Sequence, residues 1–162
     1  MKNGNFEFKN KQQELALVNI QLLRSIENTC DPLLIEILKE YFGEINDVIS
    51  WFPDLVGYIG DDYDFFGKPV KRGRTGYFWF LTEKLLIQAS AEKESISVKV
   101  FNLDKIVSVS CDYNIIKAGL RVDITCIVIA FADGQSVKIE SRHGYNQLIE
   151  EFYIALVNKI DH

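Results

Sequence analysis

The hydrophobic period of the chain changes twice, from about 3.6 residues to 2 and back again. No single helix bundle or simple sheet accommodates that pattern, because each period belongs to one kind of element. In the first half Leu15, Val18, Leu22 and Ile26 recur at helical spacing. Asp31-Pro32 is a helix start, with Asp as N-cap and Pro where its missing N–H is harmless. Leu34, Ile37, Leu38, Tyr41 and Phe42 supply the next apolar stripe, and Gly43 is its expected C-cap. A third short helix is expected over Asn46–Phe52, ended by Pro53. Stripes of this kind predict core or docking surface.

Asp54–Thr75 reads as irregular. It holds Gly57, Gly60, Gly67, Gly73 and Pro69, then a change from acidic Asp61, Asp62 and Asp64 to basic Lys68, Lys71, Arg72 and Arg74. Beyond it the period is 2. Tyr77–Leu81 and Leu85–Ala89 predict two strands joined by a tight turn at Thr82-Glu83-Lys84. Ser95–Val100 and Val107–Ser110 alternate in the manner of half-buried strands. Asp123–Phe131 is apolar on both faces, which predicts a central strand. Asp133-Gly134 marks a hairpin, after which Val137 and Ile139 are expected to face inward. Leu148, Ile149, Phe152, Leu156 and Ile160 then lie on one face of a terminal helix from about Tyr145. About six short antiparallel strands and a covering helix make an α+β pattern with a barrel-like sheet.

These residues carry a family resemblance. Tyr77-Phe78-Trp79-Phe80-Leu81-Thr82-Glu83-Lys84-Leu85-Leu86-Ile87 resembles the early hairpin of pleckstrin-homology-like domains, especially the bacterial PH and GRAM-like branch. Val100-Phe101-Asn102-Leu103-Asp104-Lys105-Ile106-Val107-Ser108-Val109 is similar to the following strand–turn–strand segment of that branch. The match covers about residues 75–160 and rests on order and spacing. It implies a bent antiparallel sheet, a partly open barrel, capped by the C-terminal helix. The family has seven strands, so the seventh is expected within Val56–Pro69. The division expected is a helical extension over residues 1–55 and a PH-like domain over 56–162.

Composition excludes several function classes. The 162 residues are 48% hydrophobic and 25% charged, a globular balance. Residues 1–70 hold 6 Lys+Arg against 12 Asp+Glu, and residues 71–162 hold 12 against 11. Neither half has the basic excess of a nucleic-acid binder. The longest stretch free of charge and strong polarity is Ile124–Ala132, with Thr125 inside it, too short for a span of roughly 20 residues. The opening MKNGNFEFKN has no apolar h-region, so no secretory signal is expected. Cys30, Cys111 and Cys126 are odd in number and form no CxxC pair, which predicts free thiols in a reducing, cytoplasmic setting.

Catalytic and metal motifs fail on spacing. Asp62-x-Asp64 starts like a calcium loop, but its fifth and twelfth positions are Phe66 and Gly73. His143 and His162, with scattered cysteines, give no zinc pattern. The glycines fit neither GxGxxG nor a Walker loop. The expectation is therefore a non-enzymatic module with no cofactor and no metal; a Cys-His pair built on Cys111 or Cys126 with His143 is the enzymatic alternative. Lys68, Lys71, Arg72 and Arg74 are the candidate ligand residues. The family resemblance places phosphate-binding basic residues on the first hairpin, and guanidinium forks suit phosphate oxygens. A protein partner is expected first. An anionic membrane surface met through residues 68–74 is the alternative, with Asp61, Asp62 and Asp64 opposing it.

Overall fold

The computed structural model describes residues 22, 25–42, 47–58, 61–63, 65–71, 74–92, 94–116, 121–141 and 146–160. It is an α+β fold with two main antiparallel sheets, not closed into a barrel. The first sheet has the order β1-β4-β5-β6, comprising β1 Ser50–Tyr58, β4 Arg74–Leu81, β5 Leu85–Ala91 and β6 Ile96–Asn102. The second has the order β7-β8-β9, comprising β7 Ile106–Ile116, β8 Arg121–Phe131 and β9 Ser136–Glu140. A small hairpin of β2 (Asp61–Tyr63) and β3 (Pro69–Lys71) is inserted between β1 and β4. Helix α1 is Pro32–Phe42 and α2 is Asn146–Ile160.

The first sheet buries a core on each face, while Tyr77, Ser97 and Lys99 leave one end of the inner face exposed. On its outer face Phe78, Phe80, Ile87, Ala89 and Trp51 meet Ile26, Leu34 and Leu38 from the N-terminal helical segment. The Trp51 ring lies parallel to Phe78 and Phe80, at 6.4 and 6.2 Å. On the inner face Phe52, Trp79, Leu81 and Leu86 meet Ile127, Ile129 and Ile139 of the second sheet and Ile149, Phe152 and Leu156 of α2. The aromatic density of Tyr77–Leu81 thus has a cause. Alternate side chains of β4 fill two separate cores. Each fully buried Leu, Ile or Phe stabilises the fold by about 1.5–3 kcal/mol.

Local chemistry sets the element boundaries. Asp31 is fully buried and its Oδ1 accepts the Leu33 amide at 3.0 Å, capping α1 as expected. The Thr82 amide donates to the Leu85 carbonyl at 2.9 Å, and Thr82 Oγ1 accepts the Leu85 amide at 3.0 Å, closing the β4–β5 turn. Gly134 has φ +88°, the left-handed conformation glycine adopts without strain, and Asp133 Oδ1 accepts the Gln135 amide at 3.0 Å. Lys159, in the last turn of α2, pairs with Glu83 in the β4–β5 turn.

Three expectations give way. The short helix over Asn46–Phe52 is replaced by strand β1 from Ser50, which pairs with β4 from Ser50↔Leu81 to Tyr58↔Arg74. Pro53 stops no element there, because β1 is an edge strand and an edge tolerates a missing N–H. The sheet therefore starts at Ser50, ahead of residue 56, and includes the seventh main-sheet strand, overlapping only the start of Val56–Pro69. Val107 does not pack inward beside Val109. A register shift between Ile106 and Ser108 leaves it 66% exposed. Leu15, Val18, Gly43 and Tyr145 lie outside the described residues.

Both helices should therefore respond to core truncation. Leu38→Ala in α1 is expected to cost about 2–5 kcal/mol and Phe152→Ala in α2 about 3–5 kcal/mol. Urea titration monitored by tryptophan fluorescence checks both. A Leu38→Ala protein with an unmoved midpoint would show that the N-terminal helix only decorates the sheet.

Candidate functional site

Two of the candidate basic residues, Lys68 and Lys71, sit on the inserted hairpin. Lys68 is exposed just past the turn, Lys71 ends β3 opposite Asp61, and Arg74 opens β4 opposite Tyr58. Arg72, like Asp64, lies outside the described residues. In the backbone register of this hairpin Asp61 is the partner of Lys71. The turn itself presents Phe65 and Phe66, 98% and 83% exposed, their rings edge to face at 5.8 Å. Gly67 at φ +76° makes that turn. Sequence reading passed over the two phenylalanines. Their signal was an apolar pair inside an otherwise polar loop, which period counting does not register.

A second feature lies where the two main sheets part. No ladder joins β6 to β7, and a 3-10 turn over Leu103–Lys105 carries the chain between them. Phe101 of β6 stacks on Phe131 of β8 at 4.8 Å, and Val100 beside it stays 39% exposed. Asn102, Lys105, Asp133 and Gln135 rim this groove with polar groups. An apolar floor with a polar rim is the usual make-up of a recognition surface. Strand reading marked Val100 and Phe101 as ordinary sheet residues, because the gap beside them is set by topology.

Cys30 and Cys126 are poorly placed to act as nucleophiles. All three are free thiols. Burial, then the charge of Asp31, pushes the Cys30 thiol up to about 12. Burial also raises Cys126, with Lys138 opposing part of the rise. A reactive cysteine requires the opposite shift. Cys111 lies on the inner side of β7 within hydrogen-bonding reach of Tyr113, whose phenol that bond pushes up to about 12. His143 and His162 lie outside the described residues. Among the described residues no group of three His, Cys, Asp or Glu side chains could hold a metal ion. No helix among them is long and apolar enough to cross a membrane.

No family model, curated protein or solved structure matches the chain.

The thiols give a measurable consequence. In the folded protein Cys30 should resist a thiol reagent at pH 8, whereas denaturant should release three reactive thiols per chain. Its raised pKa also sets a sign. The folded form keeps a proton that the unfolded chain loses above 9.0, so stability is full below that pH and falls as pH climbs towards about 12. A Cys30→Ala variant should lose that part of the alkaline decline in a pH series of urea midpoints.

Proposed function

We propose that the chain is a non-enzymatic binding or adaptor module of pleckstrin-homology-like architecture, close to the bacterial PH and GRAM-like branch, with a protein as its partner. The order supports this reading: a four-stranded and a three-stranded antiparallel sheet followed by a C-terminal helix. The observation that carries the binding role is the unclosed seam, where the Phe101–Phe131 pair forms an apolar floor and Val100, on the other face of β6, lies at its lip. The upward-shifted Cys30 and Cys126 favour binding over catalysis. Free thiols support a cytoplasmic setting.

A membrane reading has its own observation. Phe65 and Phe66 project from the hairpin beside Lys68, an aromatic pair next to a cation. Each basic residue near an anionic surface contributes about 1 kcal/mol. Asp61 across from Lys71 subtracts from that sum, and the screening length of about 8 Å at physiological salt shortens its reach. Protein recognition therefore ranks first.

Two measurements separate the readings. Random linear peptides displayed on phage should be captured by the folded chain, and Val100→Glu should reduce capture about tenfold by placing a charge at the lip of the groove. Sedimentation with phosphatidylserine-containing vesicles should leave the wild type in the supernatant at physiological salt. Salt-resistant co-sedimentation that is lost both in Arg72→Ala/Arg74→Ala and in Phe65→Ala/Phe66→Ala would put the membrane function first.

A further inference from the structure

The edges of the two main sheets are not equivalent. An open edge is a template for a foreign strand unless something blunts it. β1 is blunted by Pro53 and by a register break between Asp54 and Gly57. β7 is broken twice, between Ile106 and Ser108 and between Asp112 and Tyr113. β9 is only five residues long and carries Lys138 and Glu140. β6 carries one charge, Lys99, and none of the other devices. Its seven residues pair with β5 in unbroken register, from Leu85↔Asn102 to Ala91↔Ile96, with no proline. Among the described residues no strand pairs with its other side.

We infer that β6 is a strand-addition site that takes an extended peptide carrying an acidic residue between two apolar ones. This rests on the protein-binding reading above and names the partner. Strand addition supplies affinity through backbone hydrogen bonds and specificity through alternate side chains. Val98 and Val100 lie on the outer face of the sheet, opposite Ala89 and Ile87. Val98 packs there against the core formed with the N-terminal helical segment. Lys99 lies on the inner face opposite Gln88, is exposed, and makes no ion pair among the described residues. An added strand continues both faces. Its apolar residues extend the row of Val98 and Val100, and the residue between them comes beside Lys99, where a carboxylate completes an ion pair.

Lys99 also selects against a second copy of the chain. Two β6 strands paired antiparallel over all seven residues centre on Lys99, which sets ammonium against ammonium. A β6–β6 pair is thereby disfavoured, and the occupant proposed is a foreign peptide with an acidic residue at that position.

The test uses the full chain and a phage library of random linear peptides. Enriched sequences should share an apolar–acidic–apolar core. Lys99→Glu, an exposed change that leaves the melting temperature in place, should weaken the enriched peptide about tenfold and select a basic residue at the central position instead. Hydrogen exchange read by NMR should show added protection at β6 amides, and N-methylation of alternate peptide backbone nitrogens should abolish binding. Enriched peptides that are indifferent to Lys99→Glu and leave β6 exchange unchanged would overturn strand addition while leaving the protein-binding reading standing. Failure to enrich any peptide would overturn both. A concentration-dependent dimer that protects β6 without peptide would overturn the assignment of the site to a foreign strand.

Discussion

Double-faced burial of β4 is the constraint on which the rest of the structure depends. Phe78 and Phe80 serve the outer core, and Trp79 and Leu81 serve the inner one. A strand of this kind must be covered twice. The second sheet and α2 provide one cover, and the N-terminal helical segment provides the other. Removing either cover would expose several large apolar side chains at once, each costing about 1.5–3 kcal/mol. The N-terminal helix is thus bound to the sheet by the same interaction that holds the sheet together.

That arrangement also locates the recognition surfaces. With a core on each face of the first sheet, the surfaces described for a partner lie at its rim: the seam beside Phe101, the edge of β6 and the tip of the inserted hairpin. Loops and edges carry function when the scaffold beneath them is rigid. Here the scaffold is rigid because two cores meet across one sheet.

Much of the fold was legible in the sequence, for physical reasons. Asp31-Pro32, Thr82 and Asp133-Gly134 act through bonds to neighbours two or three residues away, so local reading finds them. The terminal helix was legible because Ile149, Phe152 and Leu156 recur at helical spacing and are all fully buried. β1 was not legible. Pro53 and Asp54 look like a break, and only pairing with β4 makes them a strand. Val107 was misjudged for a related reason, since a bulge is a property of two strands and not of one. The candidate basic residues were found as a cluster, but the Asp61↔Lys71 register and the aromatic tip before Lys68 depend on a turn that no alternation announces.

The inserted hairpin has one more consequence. Tyr58 and Arg74 are held in register by the sheet, so the chain leaves and re-enters the scaffold at a fixed gap whatever lies between. The entropic cost of closing such an excursion grows only slowly with its length. Evolution, or a protein engineer, can therefore lengthen, shorten or replace residues 59–73 as a cartridge. The scaffold would keep its two cores while the surface it displays changes identity.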